Sequence, residues 1–120
     1  MNAAIGIDIV EFKSIKEKIT DAFINRVLSQ EEQILYDKIT HPQRKIEFIA
    51  GRFAVKEAYT KCYQVFETPL NLNQVSVLKN EHGAPTIKSP YRPEDVLKVS
   101  LSHSKNYVVA IVMKVDETHA

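Results

Sequence analysis

The sequence has one cysteine, few glycines and no long apolar run, so it has little from which disulfides, phosphate-binding loops or membrane spans are built. Its single cysteine, Cys62, excludes an internal disulfide and fits a reducing compartment. It has three glycines, no GxxxxGK[ST] loop, no Cys/His metal spacing and no Ser/His/Asp nucleophile pattern. The longest apolar run, YVVAIVM at 107–113, is too short to span a bilayer, and the N-terminus does not read as a signal peptide. We therefore expect a soluble, cytoplasmic protein.

The charge is nearly balanced overall but uneven along the chain. A net charge of +1 gives no reason to expect nucleic acid or a membrane surface as a partner. Residues 38–61, however, hold six Lys/Arg and only two Asp/Glu. A local basic segment in a neutral protein indicates a discrete anion site. With 120 residues, 44% of them hydrophobic, we expect a single domain over 1–120.

The N-terminal half predicts one strand followed by helices. Ile5, Ile7 and Ile9 alternate with other residues, which predicts a strand with the isoleucines towards the core and Asp8 on the opposite face. Apolar spacing predicts a short helix over about 12–19. A second short helix follows, with Asp21 as its cap.

Two further helices are predicted from their N-terminal signals. Ser29 and Glu32 have capping-box spacing, which predicts a helix to about Ile39. Pro42 suits a first helical turn, and a long central helix should run from there to about Tyr63.

The C-terminal half predicts strands. Alternating residues at 75–77 and 97–101, the turn-like NEHGAP and the short HSKN connection predict an antiparallel sheet that ends in a hairpin into 107–115. The expected fold class is therefore α+β, with most helices in the N-terminal half packed on an antiparallel sheet.

Glu57 stands at an unexpected place in the central helix. One narrow stripe contains Ile46, Ala50, Phe53, Glu57 and Lys61, so a carboxylate follows three apolar residues. One interpretation is a surface Glu57–Lys61 pair, which contributes about 0.2–0.5 kcal/mol. The other is a carboxylate held against the core to bind a hard cation, together with Asp8. The helix pattern alone favours the surface pair.

The basic residues of the same helix also allow two interpretations. They form either a solvated face or the surroundings of a phosphorylated ligand, and they are Arg44, Lys45, Arg52, Lys56 and Lys61. His103, where a strand passes into a turn, is by itself more typical of a structural or exposed histidine.

Several motifs together resemble a known family. These are GIDIVEF at 6–12, RVLSQEE at 26–32, RKIEFIAGRFAVKEAYTK at 44–61, GAP at 83–85 and SLSHSKNYVVAIV at 100–112. In this order they resemble holo-acyl-carrier-protein synthase, the short type of 4′-phosphopantetheinyl transferase. The resemblance covers nearly the whole chain.

The resemblance implies an enzyme and its metal site. Coenzyme A would donate 4′-phosphopantetheine to a serine of apo acyl carrier protein, releasing adenosine 3′,5′-bisphosphate and activating the carrier for fatty acid biosynthesis. Asp8 and Glu57 would bind Mg²⁺ with the pyrophosphate, and Lys61 would neutralise charge on the leaving phosphate. The general base would be Glu57, directly or through a water, or alternatively Asp8.

The resemblance also implies how the substrates and subunits are arranged. The nucleotide would be bound by residues from several elements, namely Arg44, Arg52, Pro85 and His103, with Pro85 near the adenine. The enzyme would be a homotrimer with sites between neighbouring subunits. Lys13, Lys16 and Arg26 would contact the acidic carrier.

The chain departs from the family pattern at two places. Ser14 stands where the family usually has an arginine that meets the carrier. The stretch 62–71 has no glycine where the family usually has a glycine-rich loop.

Two alternative functions use the same residues. A Mg²⁺-dependent nucleotide hydrolase would use both carboxylates with water as nucleophile. A non-enzymatic anion- or nucleic-acid-binding module would use the basic segment 38–61.

Overall fold

The computed structural model describes residues 3–63 and 70–115, and in them the helices come first and most strands last. The elements in chain order are β1 Ala3–Glu11, α1 Phe12–Lys18, α2 Asp21–Val27, α3 Gln30–Asp37, α4 Pro42–Cys62, a 3₁₀ turn Leu72–Gln74, β2 Ser76–Lys79, β3 Pro85–Lys88, β4 Val96–His103 and β5 Tyr107–Val115. One antiparallel sheet has the order β1-β5-β4, and β2 and β3 form a separate antiparallel pair. The predicted α+β class and the final hairpin are confirmed.

Helices α3 and α4 begin where their N-terminal residues predict, whereas the cap of α2 is not the predicted residue. Ser29 Oγ accepts from the Glu32 amide and Glu32 Oε1 accepts from the Ser29 amide, so both bonds of the capping box are present. Pro42 lies in the first turn of α4. Asp21 is not the cap of α2: Thr20 Oγ1 accepts from the Phe23 amide at 3.1 Å, and Asp21 is the first helical residue.

The first strand faces the core with the opposite side from the one predicted. Ile5, Ile7 and Ile9 are 60%, 56% and 63% exposed, whereas Gly6 is buried. A Cβ atom on Gly6 would lie 1.9 Å from the Ala58 carbonyl oxygen of α4. The strand therefore turns its small residue to α4, because only glycine permits this approach of the two backbones. Asp8 shares that face, opposite the isoleucines as predicted.

On the other side of the large sheet, β1 and β5 form an outer apolar face, and β4 adds the polar residues Lys98, Ser100 and Ser102 beside it. Ile5 lies opposite Met113, and Ile7 opposite Ile111. Because directly opposed residues share a face, these four side chains and Ile9 form a continuous surface. On the inner side of β5, Val108, Ala110 and Val112 are buried against the rest of the core.

The central helix α4 supplies much of that core. Ile49, Ala54, Val55, Ala58 and Tyr59 are all fully buried. Within the described ranges, no helix is both long enough and apolar enough to cross a membrane. The glycine-free stretch 62–71 falls mostly on residues 64–69, which lie outside the described residues.

Candidate active site

Asp8 and Lys61 meet where β1 packs on the C-terminal end of α4. Lys61 Nζ donates to Asp8 Oδ1 at 2.9 Å. The Asp8 side chain is 17% exposed and that of Lys61 is 56% exposed. Lys61 is thus ion-paired with a carboxylate of the first strand and not, as a surface pair along the helix would require, with Glu57.

Glu57 lies within electrostatic reach of the same pair. Burial raises the pKa of Glu57, and the negative charge of Asp8 raises it further, whereas the charges of Lys61 and Arg26 lower it. Glu57 is half-buried. The structure therefore brings together Asp8, Glu57 and Lys61, which the sequence had singled out. The two carboxylates are close enough to repel each other, and the Lys61 side chain is partly exposed to solvent.

This group of side chains fits a hard divalent cation. Mg²⁺ is typically bound by one or two carboxylates and completes its shell with phosphate oxygens and water. Asp8 already holds a cation, the Lys61 ammonium, at 2.9 Å. In the part of the chain that the structure describes, no three His, Cys, Asp or Glu side chains gather as a metal site. Asp8 and Glu57 are therefore the residues that would hold Mg²⁺, with the remaining ligands supplied by substrate and solvent.

Two of the basic residues of α4 are engaged by other parts of the fold. Lys56 is fully buried and donates to Glu32 Oε1 and to the Val27 carbonyl. Lys45 Nζ donates to the Tyr36 carbonyl at 3.0 Å. The interpretation in which all five cations surround a ligand therefore does not hold for Lys56, which is fully buried and paired with Glu32.

Glu32 is the residue whose importance the sequence interpretation missed. It was assigned only to the capping box, yet its carboxylate is fully buried and also forms an ion pair with Lys56. A signal was present: Lys56 is one turn before the buried Tyr59 and next to the buried Val55 in α4. A lysine on a buried helix face needs a carboxylate partner elsewhere in the chain.

A cavity of about 900 Å³ lies between α1, the first half of α4 and the β4–β5 turn. Its walls include Phe12, Lys13, Lys16 and Lys105, and His103 lies on it with its ring centroid 6.5 Å from that of Phe12. The structure thus joins His103, predicted for the nucleotide, to two lysines predicted for the carrier. The half-buried Ser14 of the same helix stands between these lysines in sequence.

The other predicted nucleotide residues lie elsewhere. Exposed Arg44 is beside the α3–α4 connection, near Lys38 and His41. Arg52 lies beside Glu32, with Arg52 Nε 3.9 Å from Glu32 Oε2. Half-buried Pro85 opens β3, opposite Lys79.

Arg52 and Glu57 project from different sides of α4. They are five residues apart, which is about 140° around an α-helix. Arg26, predicted for the carrier, is instead on the side of Glu57, with its guanidinium 5.6 Å from the Phe23 ring centroid. The chain thus holds Glu57, with Asp8 and Lys61, on one side of α4 and Arg52 on another.

Comparison with known proteins gives one consistent result. Residues 4–112 match the model of the 4′-phosphopantetheinyl transferase superfamily. The chain is 38% identical over 110 residues to a protein of Acholeplasma laidlawii, covering 92% of this chain and 93% of the relative. It is 41% identical over 116 residues to one of Anoxybacillus flavithermus, covering 94% and 95%. Both are named holo-[acyl-carrier-protein] synthase.

Solved structures agree with the sequence comparisons. The crystal structure of a holo-(acyl-carrier-protein) synthase from Bacillus anthracis, in complex with CoA (3′,5′-ADP), superposes with a TM-score of 0.82 at 33% identity. The match covers 92% of this chain and 94% of that one.

Proposed function

The chain belongs to the holo-[acyl-carrier-protein] synthase family of the 4′-phosphopantetheinyl transferase superfamily, and on that premise we propose the reaction that it catalyses. As a single-domain, Mg²⁺-dependent transferase, it moves 4′-phosphopantetheine from coenzyme A to a serine of apo acyl carrier protein. The products are adenosine 3′,5′-bisphosphate and a carrier activated for fatty acid biosynthesis. The family and the enzyme class expected from the sequence are confirmed.

The observation that carries the proposed chemistry is the grouping of Asp8, Glu57 and Lys61 at the contact of β1 with α4. Mg²⁺ bound by the two carboxylates would orient the pyrophosphate and offset its charge. The Lys61 side chain is more exposed than Asp8, so its ammonium can leave Asp8 and donate to a phosphate oxygen. A cation there stabilises the charge that develops on the departing phosphate.

Glu57 is the proposed acceptor of the proton of the carrier serine. Its pKa is raised by burial and by Asp8, and a base with a raised pKa takes a proton more readily. The proton would pass to a Glu57 oxygen, directly or through a water, as the serine oxygen attacks the β-phosphorus. Asp8 is the alternative base, but its Oδ1 already accepts a hydrogen bond from Lys61 Nζ.

The proposal includes a homotrimer with sites shared between subunits. It is supported by the outer apolar face, because exposed, contiguous apolar surfaces mark interaction sites. The shared sites are also supported by the angle of about 140° between Arg52 and Glu57 around α4, because side chains so far apart on one helix cannot easily meet the same ligand. One ligand would contact both kinds of site if a neighbouring subunit supplied the arginine side, with Arg44, Arg52, Pro85 and His103 towards the 3′-phosphate and adenosine.

The carrier would dock on the basic side of α1 and α2. Lys13, Lys16 and Arg26 are exposed there, and Arg26 is also close enough to Glu57 to lower its pKa. An acidic carrier held by Arg26 would therefore bring its serine towards Glu57. Ser14 contributes no charge, so recognition rests on lysine point charges and one arginine. The proposed location is the cytoplasm, where the free Cys62 remains reduced.

The direct test is intact-mass measurement of the carrier after incubation with the protein, coenzyme A and Mg²⁺. We expect the mass to rise by one phosphopantetheine group. Glu57→Gln should lower the rate at least about a hundredfold, which is a usual loss for a general base. Glu81→Gln, an exposed carboxylate in the β2–β3 turn, is the control and should transfer normally. Hydrolysis of coenzyme A without any modified carrier, from several carrier sources, would contradict the proposal.

A further inference from the structure

The Glu32 carboxylate is shared by donors from three parts of the fold. Oε1 accepts from the Ser29 amide at 2.9 Å and from Lys56 Nζ, and Oε2 accepts from the Val77 amide at 2.8 Å. Lys56 Nζ also donates to the Val27 carbonyl at 2.6 Å. A glutamine would complete the capping box equally well. The charge of Glu32 therefore serves something other than the cap of α3.

The charges around Glu32 do not balance. Lys56 and Arg52 lie one turn apart on α4, and both approach this one carboxylate. Lys56 and Glu32 are completely buried, whereas the Arg52 side chain is 14% exposed. One negative and two positive charges leave an excess of one positive charge, and Arg52 is the member that reaches solvent. Because buried charge needs a counter-charge, an anion from outside would complete the cluster.

The Arg52 guanidinium has Glu32 near its Nε edge and the Phe48 ring against one face. Its Nε is buried, 3.9 Å from Glu32 Oε2, and has no hydrogen-bond partner among the described residues. One face lies over the Phe48 ring, with Cζ 3.7 Å from the ring centroid. The terminal amino groups are the remaining donors, and they have the geometry for a two-point contact with phosphate.

We propose that Glu32 is a positioning residue for Arg52: it neutralises Lys56 and attracts the Nε edge of Arg52, so that the terminal amino groups meet a phosphate monoester. This inference rests on the proposed function, in which Arg52 contacts the 3′-phosphate of coenzyme A. Glu32 itself touches no substrate. Its contribution is to hold an anion-binding arginine in one orientation before the ligand arrives, which lowers the entropy cost of binding.

The consequence is a selective loss of affinity. Without the Glu32 charge, Arg52 is no longer held, and the affinity for coenzyme A should fall about tenfold, the equivalent of one charge-assisted hydrogen bond. The affinity for dephospho-coenzyme A, which lacks the 3′-phosphate, should stay the same. Isothermal titration calorimetry with both ligands measures this ratio without relying on transfer activity.

The variants must separate positioning from folding. Glu32→Gln alone leaves Lys56 as an unpaired buried cation and will destabilise the protein. The decisive variant is therefore Glu32→Gln with Lys56→Met, which removes both buried charges and fills the space of the lysine. The amide oxygen of the glutamine can keep the Ser29 bond of the capping box, whereas the bond from the Val77 amide is lost. We expect its melting temperature to return towards that of the unmodified protein while its preference for coenzyme A over dephospho-coenzyme A stays reduced.

Arg52→Met is the reference in the same titrations. It should lose the preference for coenzyme A, and adding the Glu32/Lys56 double change to it should have no further effect. If Arg52→Met loses the preference but the double variant retains it, the positioning role is wrong and the proposed phosphate contact stands. If Arg52→Met retains the preference, both are wrong. Failure of the unmodified protein to bind either ligand would overturn the proposed function as well.

Discussion

Lys61 Nζ lies 2.9 Å from Asp8 Oδ1, so the end of α4 and the middle of β1 are joined by an ion pair at the proposed metal site. The ammonium is hydrogen-bonded to Asp8, one of the two carboxylates proposed to hold the cation. The same lysine is the proposed partner of the leaving phosphate. Metal binding and Lys61 release are therefore expected to be coupled.

Lys61→Met should consequently act in opposite directions on metal binding and on catalysis. Removing the ammonium frees Asp8 and leaves its repulsion with Glu57 uncompensated, so Mn²⁺ should bind about two- to fivefold more tightly, the range expected for a partly exposed ion pair. Phosphopantetheine transfer should fall about 10²–10³-fold, as when one fixed electrostatic group is removed. Electron paramagnetic resonance titration with Mn²⁺ measures the first effect and carrier mass the second.

The control for this change is Lys88→Met. Lys88 Nζ is also 2.9 Å from a carboxylate, Glu31 Oε1, but the pair is exposed and belongs to β3 and α3. The Lys88→Met change should therefore alter neither Mn²⁺ binding nor phosphopantetheine transfer. Weaker Mn²⁺ binding by Lys61→Met would show that the lysine supports the metal site rather than competing for it.

Glu57→Gln should make the metal-free protein more stable at neutral pH. Burial and Asp8 raise the pKa of Glu57, so between the ordinary carboxyl pKa and this raised one the folded state binds more protons than the unfolded state. The free energy of unfolding then falls as pH rises through that interval, and above it the charged Glu57 destabilises the fold. Glutamine removes this cost.

Thermal unfolding followed by circular dichroism, in the presence of a chelator, tests the sign of this effect. The melting temperature of Glu57→Gln should exceed that of the unmodified protein at neutral pH. The difference should vanish below the ordinary carboxyl pKa, where the glutamate is protonated in both states. A difference that persists in acid would have its origin in packing rather than in charge.

Gly6→Ala and Gly51→Ala should change stability in opposite directions. A Cβ at Gly6 would lie 1.9 Å from the Ala58 carbonyl oxygen and 2.6 Å from the Cys62 amide nitrogen, and neither backbone atom can yield easily. At Gly51, within α4, a Cβ would meet nothing within 4 Å. We expect a loss of about 1–3 kcal/mol at Gly6 from overpacking. At Gly51 we expect a gain of roughly 0.5–1 kcal/mol from helix propensity.

Urea unfolding measures both free energies. The Gly6 change has a second expected effect, because displacing β1 from α4 separates Asp8 from Glu57. Mn²⁺ affinity should therefore fall in Gly6→Ala and stay unchanged in Gly51→Ala. Equal stability of the two variants would contradict the proposed role of Gly6 in the contact of strand and helix.

The parts of the fold that the sequence predicted are those with local causes. The Ser29–Glu32 capping box, the first-turn Pro42 and the β4–β5 hairpin each depend on residues close together in the chain. Which face of β1 points to the core does not depend on such local residues. Alternation defines two faces of a strand, but which one meets the core was decided by the approach of Gly6 to α4, a contact between distant segments.

The same distinction holds at the site. Strand alternation offered Asp8 as a partner of Glu57, but helix periodicity alone favoured a surface pair of Glu57 with Lys61, and the resemblance to a family decided for Asp8. The fate of Lys56 was not predicted because its partner, Glu32, is 24 residues away and already had a local explanation. A residue with one evident role, here a cap, can hide a second role that appears only when the helices are packed.

The outer apolar face gives the last prediction, on assembly. Ile7, in the middle of β1, is 56% exposed and has Ile111 directly opposite on β5. Ile34 of α3 is 60% exposed and serves as a matched control away from this sheet. In multi-angle light scattering, Ile7→Lys should convert the proposed trimer to folded monomers, because a lysine buried in the interface without a partner is costly, and Ile34→Lys should have the mass of the unmodified protein. Transfer should be lost with the trimer, since a monomer holds Glu57 and Arg52 on different sides of α4. Monomers that transfer at the normal rate would show that each site is complete within one chain.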